Sequence, residues 1–83
     1  MAAERMGEKE VGENLHQAWK LVKEVIDKTN SDPDSPICSN CRNILRVAMY
    51  SIQAIIELAV NKNNDNFLVC GRAARKIIVK DVY

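Results

Sequence analysis

The sequence predicts an all-α fold: a three-helix antiparallel bundle whose largely apolar middle helix is completed by dimerisation. Three observations lead there. Apolar residues recur at intervals of three and four in separate segments, the period of a helix with one buried face. Two polar stretches, TNSDPDSP at 29–36 and NKNNDN at 61–66, separate those segments. The middle segment is apolar over far more of its circumference than one neighbouring helix can cover.

The expected elements follow in chain order. Residues 1–9 read as a flexible N-terminal arm, and 10–83 as one helical domain with helices at about 10–29, 36–62 and 66–80. In the first helix Val11, Leu15, Ala18, Trp19, Val22, Val25 and Ile26 share a stripe, and Leu21 falls off it. Glu13, Gln17, Lys20, Lys23, Glu24, Asp27 and Lys28 occupy the opposite face, with Glu24 and Lys28 at a favourable four-residue spacing. Two prolines, two aspartates and two serines make 29–36 a loop. Ser35-Pro36 is a helix start signal, serine as cap and proline in the first turn.

In the second helix the polar residues Ser39, Arg42, Asn43, Arg46, Tyr50, Gln53, Glu57 and Asn61 line one narrow stripe. Ser51 alone sits on the apolar remainder, about two thirds of the circumference, which needs cover from several sides. Asp65 or Asn64 is the expected cap of the third helix. There Phe67, Cys70, Gly71, Ala74, Ile77 and Ile78 form one face, with Gly71 and Ala74 suited to close helix approach, and Arg72, Arg75, Lys76 and Lys80 form the other. Leu68, Val69 and Val79 fall among the basic residues. A strand pair, FLVC and KIIVKDVY, is the alternative for this β-favouring stretch, but a lone hairpin is marginal.

Composition narrows the function. Eighty-three residues make one domain. Hydrophobic and charged shares of 47% and 28% are ordinary for globular chains and argue against wholesale disorder. With 5% aromatic residues the core must be aliphatic. A core of this size supplies only about 3–5 kcal/mol, so a partner, a metal or a disulfide commonly adds to it. The chain is short for an enzyme with a deep cleft. The net charge is +1, yet residues 1–34 carry eight acids and five bases (−3), and 35–83 carry three acids and seven bases (+4). The charged N-terminal segment lacks the apolar core of a signal peptide, and no unbroken apolar run reaches the ~18 residues of a membrane span. Three cysteines without an export signal fit free thiols in a reducing cytoplasm.

Four groups of residues could carry function. Arg42, Arg46, Tyr50, Gln53 and Glu57 form a stripe suited to binding a partner, since Arg and Tyr often dominate interfaces. Arg72, Arg75, Lys76 and Lys80 form a ridge that could lie along nucleic-acid phosphates, or meet the acidic first helix. Cys38, Cys41, Cys70 and His16 make up a zinc ligand set by count, although tetrahedral sites draw on closely spaced ligand pairs. Cys38-Ser-Asn-Cys41 at a helix start, beside Arg42, also suits thiol redox chemistry, while the simplest role of all three cysteines is apolar packing. His16 has no sequence neighbours that would make a triad, and the three glycines form no phosphate loop.

The expected function is therefore non-enzymatic: a small helical regulator, adaptor or inhibitor that binds itself and another protein, without cofactor or membrane. A nucleic-acid-binding regulator and a zinc-stabilised or thiol-redox module are the alternatives.

Overall fold

A computed structural model describes residues 5–30 and 32–82. Three helices follow one another: α1 (Glu8–Thr29), α2 (Ser39–Ile55) and α3 (Asn64–Ile77). α2 runs on into a π-helical turn at Ile56–Val60, and α3 into another at Ile78–Val82. Helical geometry through residue 82 removes the strand alternative for the described part of the C-terminal segment. Of the expected N-terminal arm, residues 1–4 lie outside the described residues, and α1 begins at Glu8.

α1 has Glu8 and Glu10 in its first turn and Lys28 in its last, each sign matched to the helix dipole. Glu24 and Lys28 pair at 2.7 Å, and Lys23 and Asp27 at 2.8 Å. At the C-terminus the Thr29 hydroxyl donates to the Val25 carbonyl at 2.6 Å.

α2 starts later than Ser35-Pro36 suggests. The Ser35 hydroxyl oxygen accepts from the Ile37 backbone N–H at 3.3 Å, which commits it to a local turn. Cys38 caps the helix instead, with extended backbone and its sulfur accepting from the Cys41 N–H at 3.4 Å. α3 likewise is capped neither by Asn64 nor by Asp65. Asn63 takes that position, and its side-chain oxygen accepts from the Asn66 N–H at 3.1 Å. The connection thus shrinks to Asn61, Lys62 and Asn63. So short a reversal requires a left-handed residue, and Lys62 provides it with φ 55°.

Two hydrogen bonds and one ion pair at the helix ends establish the antiparallel order. Arg42 at the start of α2 reaches the carbonyl of Thr29 at the end of α1. Lys62, just past α2, lies 3.8 Å from Glu8 at the start of α1. Glu57 near the end of α2 accepts from Asn66 in the first turn of α3. α2 is the central post: α1 and α3 both pack against it, and their backbones do not approach each other closely.

Among the described residues the core is small, with Ile26, Ala54, Cys70 and Ala74 the buried hydrophobic residues. Ala74 is buried as its expected face requires, whereas Gly71 is exposed, and a Cβ there would meet nothing within 4 Å. The close helix approach occurs at Gly12, where a Cβ would stand 3.3 Å from Val60 Cγ1. Leu21, off the α1 stripe, is exposed as its position implies, but so is Val25, which the stripe includes.

Candidate functional site

The polar stripe of α2 is largely engaged within the protomer. Arg42 Nη2 donates to the Thr29 carbonyl at 2.7 Å, and its buried Nε has no partner. Arg46 donates to the side-chain oxygens of Asn43 at 3.4 Å and Asn30 at 3.3 Å. Glu57 accepts from Asn61 at 2.9 Å and from Asn66 at 3.0 Å, which ties the end of α2 to the start of α3. Tyr50 and Gln53 are half-buried. Gln53 and Glu57 border a groove of about 840 Å³ between α1 and the end of α2, with Glu13, His16, Trp19 and Val60 on its walls. His16 is exposed and stacks on Trp19 at 5.9 Å between ring centroids, 23° from parallel.

The other side of α2 is uncovered. Ile44, Ile55 and Leu58 expose 53%, 48% and 43% of their surface, and Ser51 is exposed between them. With Cys41 and Ala48 these residues are spaced alternately by three and four: 41, 44, 48, 51, 55, 58. That is the spacing of a two-position heptad seam, which keeps one narrow line of side chains facing a second helix. Small residues, Ala48 and Ser51, stand at its middle. The pattern was readable in the sequence but merges there into the wider apolar surface. Only the placement of α1 and α3 separates the covered part from the open seam.

A window of Ser39–Val60 also reaches a mean hydropathy of 1.3, long and apolar enough by length and composition to cross a membrane. Counting unbroken apolar runs misses this, because Arg46, Gln53 and Glu57 interrupt the run but barely lower the average.

On α3 and the π-helical turn that follows it the basic residues Arg72, Arg75, Lys76 and Lys80 are exposed, and none forms an ion pair with a described residue. Among the described residues they make no ion pair with the acids of α1 within one protomer. Leu68, Val69 and Val79 are exposed among them.

The cysteines divide into two environments. Cys70 is buried in α3, and burial foremost, with the nearby Glu57 charge second, pushes its thiol above the ordinary value. Cys38 and Cys41 are exposed, so packing is not the role of all three. Their sulfurs are 3.4 Å apart. The Cys41 backbone N–H, and then its thiol, hydrogen-bond to Cys38 and lower the Cys38 thiol. Donation to Cys38, followed by the charge there, raises Cys41. Arg42 is turned to Thr29, so the amide and the neighbouring thiol are what favour the Cys38 thiolate. Among the described residues no three His, Cys, Asp or Glu side chains gather where they could hold one metal ion. Cys38 and Cys41 provide two ligands, and tetrahedral zinc takes four.

Comparison with protein-family models, with curated proteins and with solved structures returns no match for this chain.

Proposed function

We propose that the protein is a non-enzymatic interaction module that assembles through the open seam of α2, with a second copy of the same chain as its first partner. The observation behind this reading is the exposure of Ile44, Ser51, Ile55 and Leu58 at heptad spacing on the most apolar helix of a chain with a very small core. An identical seam supplies the matching knobs and holes, and its small centre lets two backbones approach. Pairing adds the buried apolar area that the protomer lacks, at roughly 25 cal/mol per Å². Such a homo-oligomer suits a small cytoplasmic regulator, adaptor or inhibitor, whose further protein partner would meet the remaining apolar patch on α3.

A photo-crosslinking residue in place of Ser51 tests the seam. It should yield covalent dimers on illumination, while the same residue in place of Arg72 should not. Absence of dimers from position 51 would refute assembly through α2.

The exposed cations Arg72, Arg75, Lys76 and Lys80 favour a second reading, nucleic-acid binding along α3 and the turn that follows it. Such binding must weaken steeply with salt. A mobility shift with single- or double-stranded nucleic acid at low salt, lost on raising the salt, would support it. No shift at low salt would eliminate it.

A further inference from the structure

We infer that Cys38 and Cys41 form a redox dithiol, with Cys38 as the attacking thiol and Cys41 as the resolving one, able to reduce a low-molecular-weight disulfide and close to an intramolecular disulfide. The geometry is already near that of the product. The two sulfurs stand 3.4 Å apart, against about 2.05 Å in a disulfide, and residues three apart in a first helical turn fall within the Cα separation that a disulfide spans. Both residues are exposed, so a small disulfide has access.

The roles differ because the positions differ. Cys38 is the cap, just outside the helix, and its sulfur receives the Cys41 backbone N–H. That donor stabilises negative charge on Cys38, and the aligned amides of the helix start add to it. Cys41 lies inside the first turn and has to reach only Cys38. Cys41 is also the end position of the α2 seam, whereas Cys38, which meets the small disulfide, lies outside the seam. Cys70, buried on another helix, takes no part.

The reaction balances as two exchanges. The Cys38 thiolate attacks one sulfur of R–S–S–R, a Cys38–S–S–R bond forms, and the first RS⁻ leaves. Cys41 then loses its proton to solvent and attacks the Cys38 sulfur, and the second RS⁻ leaves. Both thiolates take up protons according to the pH. The protein dithiol is oxidised by two electrons, and the small disulfide is reduced to two thiols.

The test uses the full chain, reduced and then exposed to oxidised glutathione, with free thiols trapped by alkylation and the products weighed. Wild type should lose two alkylatable thiols together and keep that of Cys70. Cys41→Ser should accumulate a glutathione adduct on Cys38. Cys38→Ser, which keeps a good helix-capping side chain, should form its adduct at least about tenfold more slowly. Circular dichroism establishes that both variants keep their helices. Equal adduct rates in the two variants would overturn the assignment of roles. Wild type that stops at glutathione adducts without closing, or a disulfide that includes Cys70, would overturn the dithiol itself.

Discussion

Arg42 Nη2 lies 2.7 Å from the Thr29 carbonyl oxygen, so a side chain in the first turn of α2 satisfies the last turn of α1. The bond crosses a loop and is made by a charged donor in a half-buried setting. It does for the helix C-terminus what a local cap would do, and Arg46 adds a second contact to Asn30 in the same region.

Replacement of Arg42 by Met keeps most of the aliphatic stem and removes the donor. The variant should lose about 1.5–3 kcal/mol, the range for hydrogen bonds to charged groups. Urea denaturation at fixed chain concentration measures it. An unchanged midpoint and slope would mean that the Thr29 carbonyl is equally well served by water.

Gly71 sits within α3, and a Cβ there would meet open space. Gly71→Ala should stabilise the fold by about 0.5–1 kcal/mol, because alanine restricts the unfolded chain and favours the helix. Thermal unfolding should shift upward. A downward shift would reveal that another surface packs closely against position 71 in the assembled protein.

Alkylation rates should separate the two exposed thiols by pH. The fold lowers the Cys38 thiol, so its thiolate forms at lower pH, and its rate should rise and level off at lower pH than that of an ordinary thiol. The fold raises Cys41, so its rate should rise at higher pH than that of an ordinary thiol. In Cys38→Ser the charge beside Cys41 is gone, and the Cys41 profile should move down toward the ordinary thiol. Coincident profiles in wild type would contradict the hydrogen-bonded arrangement at the start of α2.

The three helices were legible because each carries its own period and the separating loops are dense in turn-forming residues. The boundaries were less so. Ser35 looks like a cap in sequence, yet its hydroxyl is used by Ile37, and Cys38, a weaker capping type, takes the position. Asn63 outcompetes Asn64 and Asp65 because the left-handed turn at Lys62 brings it into place, and that turn depends on backbone geometry. The α2 polar residues are legible as a stripe in the sequence, but their internal engagement depends on Thr29, Asn30 and Asn66 in other elements. Side-chain identity names a candidate surface, and the packing decides which side of the helix stays open.

Sedimentation equilibrium of the wild type and of an Ile44→Lys/Ile55→Lys variant tests assembly through α2 most directly. Both positions are about half exposed in the protomer, so the changes spare its core. Wild type should sediment at twice the chain mass of 9.4 kDa and do so equally at low and high salt, as an apolar interface requires. The variant should remain helical and sediment as a single chain. A wild type that is monomeric throughout the concentration range, or a variant that still pairs, would contradict the seam as the assembly surface.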